Sequence, residues 1–280
     1  MSDKLKIVRS AVEASAPGPV LVHSDIFLAM NLIEKVAKAD LLLQRHMQAV
    51  ETITAGRELY FPTFNYDFPK TRTVNAASDV SQVGHLSEYA RKNWAVWRDA
   101  TPIFSFCGLG QPTPTGRQAP AEGSTLSPFD EGSLFHHLYE NDGVIIMYGA
   151  PFSRFTAIHY IEHRSGGPLY RYDKFFRGSV QPQNEAERTV TLKYHVRPMG
   201  ANLEYDWQRL EAFSQDHGAL AKLTGLGASI LVIPVRRICD LWQAELKRQP
   251  LFLLDEDTRA FVEPKIDTLG RRFELSDFEA

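Results

Sequence analysis

The sequence holds only two cysteines, Cys107 and Cys239, in 280 residues. That is too few for a disulfide framework, and their separation fits no zinc-binding spacing, so both read as ordinary buried thiols of a reducing cytoplasm. No apolar run reaches about 18 residues, so no membrane span is expected. The first residues, Met1-Ser-Asp-Lys-Leu-Lys, lack the apolar core of a secretory signal. With 31 basic against 34 acidic residues the net charge is −3, which leaves no basic excess for a nucleic-acid surface. Neither Gly-x-Gly-x-x-Gly nor Gly-x-x-x-x-Gly-Lys occurs, so hydride transfer and nucleotide hydrolysis lose their usual signals. Internal repeats and low-complexity tracts are also missing. These absences leave a cytoplasmic protein with no membrane or nucleic-acid partner, and they leave open whether it forms a homo-oligomer.

What is present alternates between strands and helices. Residues 4–15 predict a helix, and Val20-Leu-Val-His23 a short buried strand after the breaker cluster Pro17-Gly-Pro19. Asp25 to Ala39 predicts a helix from its apolar spacing, and Leu41 to Glu51 a second one. Glu58-Leu-Tyr-Phe61 and Ile103-Phe-Ser-Phe-Cys107 read as strands, with a helix over Val83 to Asn93 between them. Asn65 to Val80 is polar and irregular, and Gly108 to Ser127 is the most loop-like stretch. Leu134 to Glu140 predicts a helix ahead of the apolar run Gly143-Val-Ile-Ile-Met-Tyr148. Thr189-Val-Thr-Leu-Lys-Tyr-His-Val196 alternates with period two, as a half-buried antiparallel strand does, which argues against a purely parallel sheet. Ala228 to Pro234 reads as a strand, between amphipathic helices over Asp206 to Asp216 and Arg236 to Lys247. The alternation predicts an α/β fold: three layers, α/β/α, around a mixed central sheet.

The most informative stretch follows the apolar run of 143–148. Gly149 and Pro151 close the strand, and Thr156, His159 and Glu162 follow at steps of three. On a helix those three side chains share roughly one face. A hydroxyl, an imidazole and a carboxylate just past a strand's C-terminal end are what proton transfer needs. A lone His-x-x-Glu also arises by chance on solvated helix faces.

Other blocks of the chain give this unit a context. It resembles the antibiotic N-acetyltransferase family, whose founding members are the aminoglycoside 3-N-acetyltransferases. In the same order stand Val20-Leu-Val-His23-Ser24-Asp25, Phe61-Pro-Thr-Phe64, Ser81-Gln-Val-Gly84-His-Leu-Ser-Glu88, Arg98-Asp-Ala-Thr-Pro-Ile-Phe-Ser105-Phe-Cys-Gly108 and Ser127-Pro-Phe-Asp-Glu-Gly-Ser133. The resemblance covers about residues 5–178. It implies a single acetyltransferase domain over 1–280, with a core of about 5–180 and a C-terminal elaboration of about 181–280. It also implies a fold other than that of the GCN5-related acetyltransferases, acetyl-CoA as acyl donor, no metal, and direct transfer without an acyl-enzyme.

On that reading His159 is the general base, Glu162 orients it or holds the acceptor ammonium, and Thr156 donates to the developing oxyanion. His23, Ser24, Asp25, Ser81, Gly84 and Ser105 are the cofactor-binding candidates. The turn at residues 23–25 can offer backbone N–H groups to phosphate, although Asp25 would repel phosphate and equally suits a cap. Phe64, Asn65 and Tyr66, with Arg171 and Lys174 of the aromatic and cationic stretch 169–175, are the acceptor-binding candidates. His136 and His137 cannot point the same way on a helix and lack a third ligand, so they do not read as a metal site.

Two departures qualify the resemblance: the family's His-Pro is Thr101-Pro102, and a frequent Asp before the Thr-x-x-His element is Ser153. Losing an acidic position argues mildly against a polycationic acceptor. The reading therefore favours a biosynthetic enzyme that acetylates a primary amine of an amino sugar, such as a nucleotide-linked one. Its alternatives are an aminoglycoside 3-N-acetyltransferase conferring resistance and a non-catalytic CoA-binding relative.

Overall fold

In the computed structural model, which describes residues 2–109, 120–198 and 202–279, eleven strands form two sheets. They are β1 (Val20–Ser24), β2 (Leu59–Pro62), β3 (Thr73–Asn75), β4 (Trp97–Arg98), β5 (Phe106–Gly108), β6 (Thr125–Leu126), β7 (Val144–Tyr148), β8 (Tyr172–Gln181), β9 (Arg188–Val196), β10 (Ala221–Leu223) and β11 (Ile230–Pro234). The larger sheet has the order β10-β11-β7-β1-β2-β5-β4. Its centre, β7-β1-β2, is parallel, and both flanks run antiparallel.

The central strands are apolar along most of their length, because both faces are covered; the exceptions are His23 and Ser24 at the end of β1. Leu21, Tyr60, Ile145, Met147, Leu231 and Ile233 point into one core. Their neighbours Val22, Phe61, Val144, Ile146, Ile230 and Val232 point into the other. The first core is closed by helices Leu134–Glu140, Ile158–Arg164, Trp207–Asp216 and Val235–Arg248, the second by Asp3–Ser15, Ala39–Thr54 and His85–Asn93. This is a three-layer α/β/α arrangement with a mixed central sheet.

The source of the mixture differs from the expectation. The period-two strand of 189–196 belongs to a separate four-stranded sheet, β3-β8-β9-β6, that packs on the first core through Phe176, Val180, Val190 and Leu192. The antiparallel members of the central sheet are β11, β5 and their outer neighbours.

Two other expectations are corrected. Asp25 to Ala39 is no helix. The Asp25 carboxylate takes the N–H groups of Phe27 and Leu28 (3.0 and 3.4 Å), and only a 3-10 turn, Met30–Leu32, follows. This local side-chain bond offers the backbone an alternative that apolar spacing does not reveal. Residues 103–105 are not strand either: Ile103 has φ +66°, and β5 begins at Phe106. Much of the loop-like 108–127 stretch lies outside the described residues.

Candidate active site

β7 delivers the chain to the site. Gly149 follows it with φ +77°, where a Cβ would stand 2.1 Å from the Asp25 carbonyl oxygen, so only glycine lets the strand end pack on the turn after β1. Pro151 and the 3-10 turn Phe152–Arg154 then lead into the helix Ile158–Arg164, which carries His159 and Glu162. Thr156 lies before that helix, so the three do not share one helical face. Its hydroxyl donates to the Arg154 carbonyl (3.3 Å) while the residue borders the same cavity as His159.

Glu162 is the centre of the arrangement and is 1% exposed. Its Oε2 is 3.0 Å from His159 Nδ1 and 3.6 Å from His195 Nε2. Its Oε1 accepts from the hydroxyls of Tyr170 (2.6 Å) and Tyr205 (2.7 Å) and lies 3.7 Å from Arg171 Nε. Arg171, itself buried, donates to the Tyr205 oxygen (2.9 Å). Burial alone would raise the Glu162 pKa, but Arg171 and the two histidines pull it well below the usual carboxylate range. Burial keeps the Tyr170 and Tyr205 phenols well above their ordinary value, and the adjacent carboxylate adds to that shift, so both remain donors.

An ionised carboxylate can only accept, so the His159 proton sits on Nδ1 and Nε2 keeps its lone pair. Burial lowers the His159 pKa, outweighing the upward pull of Glu162, so the imidazole is neutral at pH 7. Burial likewise brings His195 down to about 4. The donor atoms of His159, Glu162 and His195 lie within 4.8 Å of one another, as a metal site would require. The Glu162 oxygens are already engaged by hydroxyl and imidazole donors, with the Arg171 cation alongside. Such surroundings suit proton transfer and oppose a bound cation.

His159 borders a cavity of about 860 Å³. Of the cofactor-binding candidates, His23, Ser24, Asp25 and Gly84 stand on its wall. His23 Nε2 and Ser24 Oγ are buried without a hydrogen-bond partner among the described residues. Burial brings the His23 pKa down to about 4, so its ring is a neutral donor or acceptor. Gly84 starts the helix His85–Asn93 with φ +91° and no side-chain cap, and a Cβ there would come within 3.1 Å of the Ser24 carbonyl oxygen. Unpartnered polar atoms beside an uncapped helix start fit a ligand bearing amides and phosphates.

Ser81 and Ser105 lie off this wall. Ser81 offers its N–H to Glu88 (2.9 Å), and the Ser105 hydroxyl donates to the Thr63 carbonyl (2.8 Å) and accepts from buried Arg98 (3.2 Å). Among the acceptor candidates, Phe64, Tyr66 and Arg171 line the cavity. The Asn65 side chain donates instead to the Val80 carbonyl (3.2 Å) and accepts from the Asp67 N–H (3.0 Å). Lys174 pairs with Glu279, away from the cavity. His136 and His137 bond to different partners, Tyr160 and Glu58.

Reading by spacing missed Tyr170, His195 and Tyr205. The alternation in β9 points away from His195. In β9 the even positions Val190 and Leu192 are buried and the odd ones are Thr189, Thr191 and Lys193, yet His195 on the odd face is buried. The strand's solvent face turns inward at that end.

A family model described as aminoglycoside 3-N-acetyltransferase matches residues 45–247, well over half of the chain. No curated protein matches. Among solved structures the chain resembles aminoglycoside acetyltransferase AAC(3)-Xa, at 15% identity over 88% of this chain and 92% of that one, with a TM-score of 0.66. AAC-IIIb, solved as a binary complex with CoASH, aligns at 16% identity over 88% and 95%, with a TM-score of 0.65. A mutant of AAC(3)-IVa in complex with a gentamicin aligns at 17% identity over 89% and 90%, with a TM-score of 0.60. At such identities the structures establish the fold, which is theirs, and no described helix is long and apolar enough to cross a membrane. The extent of the family match carries the assignment: this chain belongs to the aminoglycoside 3-N-acetyltransferase family, a family of acyltransferases.

Proposed function

We propose that the protein transfers the acetyl group of acetyl-CoA to a primary amine of an amino sugar. The observation that carries this is the His159–Glu162 pair, 3.0 Å apart, with the imidazole bordering a cavity of about 860 Å³ in a chain of this family. The donor's pantetheine and phosphates lie along His23, Ser24 and Gly84. The acceptor enters against Phe64, Tyr66 and Arg171. The neutral amine attacks the thioester carbon with its lone pair while His159 Nε2 takes the proton that the nitrogen gives up. The C–N bond forms, the C–S bond breaks, and the departing thiolate takes the proton back from the imidazolium. Glu162, held ionised, stabilises that imidazolium and fixes its tautomer. A cysteine nucleophile is disfavoured: burial pushes the Cys107 thiol up to about 12 and raises Cys239 as well.

The family and the gentamicin-bound relative favour an aminoglycoside acceptor over the nucleotide-linked sugar expected from the sequence. One observation keeps the second reading in play. Arg154 and Arg197 border the cavity without a salt bridge among the described residues, on a wall that also holds Asp25 and Glu204, and suit an acidic group on the acceptor. A thiol-release assay with acetyl-CoA against gentamicin, apramycin and nucleotide-linked amino sugars separates the two. Release with none of them, alongside intact CoA binding, would leave only the non-catalytic relative.

A further inference from the structure

Phe104 stands between two cavities. Besides the one that His159 borders, it lines a second of about 360 Å³. Among the described residues, that second space has apolar side chains of Phe106, Leu126, Pro128 and Leu134 on its wall. Exposed Asn184 and Glu185, between β8 and β9, border it as well. Phe104 is 3% exposed. It packs on Phe64 (ring centroids 5.1 Å), Phe129 (5.2 Å) and Tyr194 (5.6 Å), and lies 6.3 Å from the His159 ring.

The preceding residue explains why the ring is held there. Ile103 is β-branched yet sits at φ +66°, a conformation such residues avoid. It is pinned by the Asn65 N–H on its carbonyl (3.1 Å), and the Phe104 N–H bonds to the Pro102 carbonyl (2.8 Å). Backbone strain of this kind persists only where the surroundings over-determine it.

We propose that Phe104 is the wall that limits the length of the acyl group, an inference that rests on the acyl-transfer reading. The thioester carbon must come within reach of the amine whose proton His159 takes, so the chain attached to that carbon lies within a few ångströms of the rings packed on His159. An acetyl methyl fits in front of Phe104. A longer chain meets the ring, and the space it would need lies on the other side. There the side chains of Phe106, Leu126, Pro128 and Leu134 offer methylenes an apolar strip on a wall that also carries Ser124, Ser127 and Gln183. That space does not suit the phosphates of CoA: Glu185 borders it, and the Arg98 guanidinium there is already bonded to Thr63, Ala76 and Ser105. Asp99 is a weak counter-ion for an ammonium, since burial pushes its carboxyl up to about 7 and it also accepts from the Thr101 N–H (3.0 Å).

The test compares full-length wild type, Phe104→Ala and Phe104→Leu with acetyl-, butyryl- and octanoyl-CoA. Thiol release is followed for each donor, together with its affinity by calorimetry. Wild type should discriminate against octanoyl-CoA. Phe104→Ala should lower acetyl transfer while raising the octanoyl-to-acetyl ratio of kcat/KM by about tenfold or more, since each methylene in a fitted pocket is worth about 10–200-fold. Phe104→Leu, which keeps an apolar side chain in the core, should show a smaller shift in the same direction. Adding Leu126→Trp to Phe104→Ala should cancel the gain by filling the second cavity. An unchanged ratio in folded Phe104→Leu overturns the proposal. So does a gain that Leu126→Trp leaves intact, or a change confined to the KM of bulky amines. If wild type acetylates no amine, the acyl-transfer reading fails separately. The octanoyl-CoA affinity of the variants relative to wild type then still decides whether Phe104 is the wall.

Discussion

The helix Ile158–Arg164 and the strand pair β8–β9 reach the same buried carboxylate from opposite sides, by different means. The helix supplies His159 and Glu162 through a three-residue spacing, and Gly149 and the turn at Asp25 set its entry. The hairpin side supplies Arg171 and His195 through a nine-pair antiparallel register that opposes Tyr172 to Val196 and Asp173 to His195. Tyr205 arrives on a loop tied to the segment around Leu254, by a bridge to Leu254 itself and by the Asp206 N–H on the Leu253 carbonyl (3.0 Å). A local spacing of helical kind places the reacting group. Long-range pairing places the groups that hold its partner ionised and still. Chemistry should therefore be lost most sharply on the helix side, and pKa tuning on the other.

The largest effect should come from His159→Ala, with a loss of about 10²–10⁴-fold in kcat and little change in CoA affinity, as expected for removal of a general base. The pH profile sharpens this. Burial lowers the folded-state pKa of His159 below its usual 6.5, and the base works only when neutral. The wild-type rate should rise as pH increases through that lowered value and be flat above it, and His159→Ala should lack the step. A variant that keeps both the rate and the step would assign the proton to another group.

Glu162→Gln comes next, and it acts on both halves at once. Substitution leaves the Arg171 cation buried beside a neutral amide, a situation that typically costs about 3–5 kcal/mol of stability. The denaturation midpoint should fall clearly, and kcat should drop with it. If Glu162 held the acceptor ammonium directly, the acceptor KM would rise more than kcat falls.

Much of the helix side was legible in the sequence. The apolar run of β7, the Gly149 turn and the His159–Glu162 spacing are all local patterns. The strand side was only half legible. Residues 189–196 declared a strand, but not that it leaves the central sheet, nor that its odd face turns inward at His195. Tyr205 sits 43 residues from Glu162 in the chain, and no spacing rule connects them. The cofactor- and acceptor-binding candidates also proved divided in use. Ser24 and Gly84 stand on the cavity wall, whereas Ser105 and Asn65 are engaged in holding loops around Arg98 and Val80.

Tyr205→Phe should have a milder effect. It removes one donor from Glu162 and one acceptor from Arg171 while leaving the ring in place. A less well compensated carboxylate pulls harder on the His159 proton, so the apparent pKa of the rate should move up towards 6.5. The rate at high pH should fall by about tenfold or less, as one hydrogen bond is worth. An unchanged profile would mean that Tyr205 fills space and does not tune the pair.

The smallest effect should be that of Lys174→Ala, and it tests how far the site extends along the hairpin. Arg171 and Lys174 lie three residues apart in a stretch whose aromatics and cations looked like acceptor-binding material. The structure separates them. The Arg171 guanidinium is buried on the cavity wall beside Glu162 and Tyr205, whereas Lys174 pairs with Glu279, which also accepts from the Tyr172 hydroxyl (2.5 Å). The pair is partly exposed and screened by solvent, so its loss should cost little stability. Lys174→Ala should leave kcat and the acceptor KM within about twofold of wild type and lower the melting temperature slightly, whereas Arg171→Ala should damage both activity and stability. A several-fold rise in acceptor KM for Lys174→Ala would place the acceptor further along β8, and the boundary between the wall of the site and the strand that supports it would have to move.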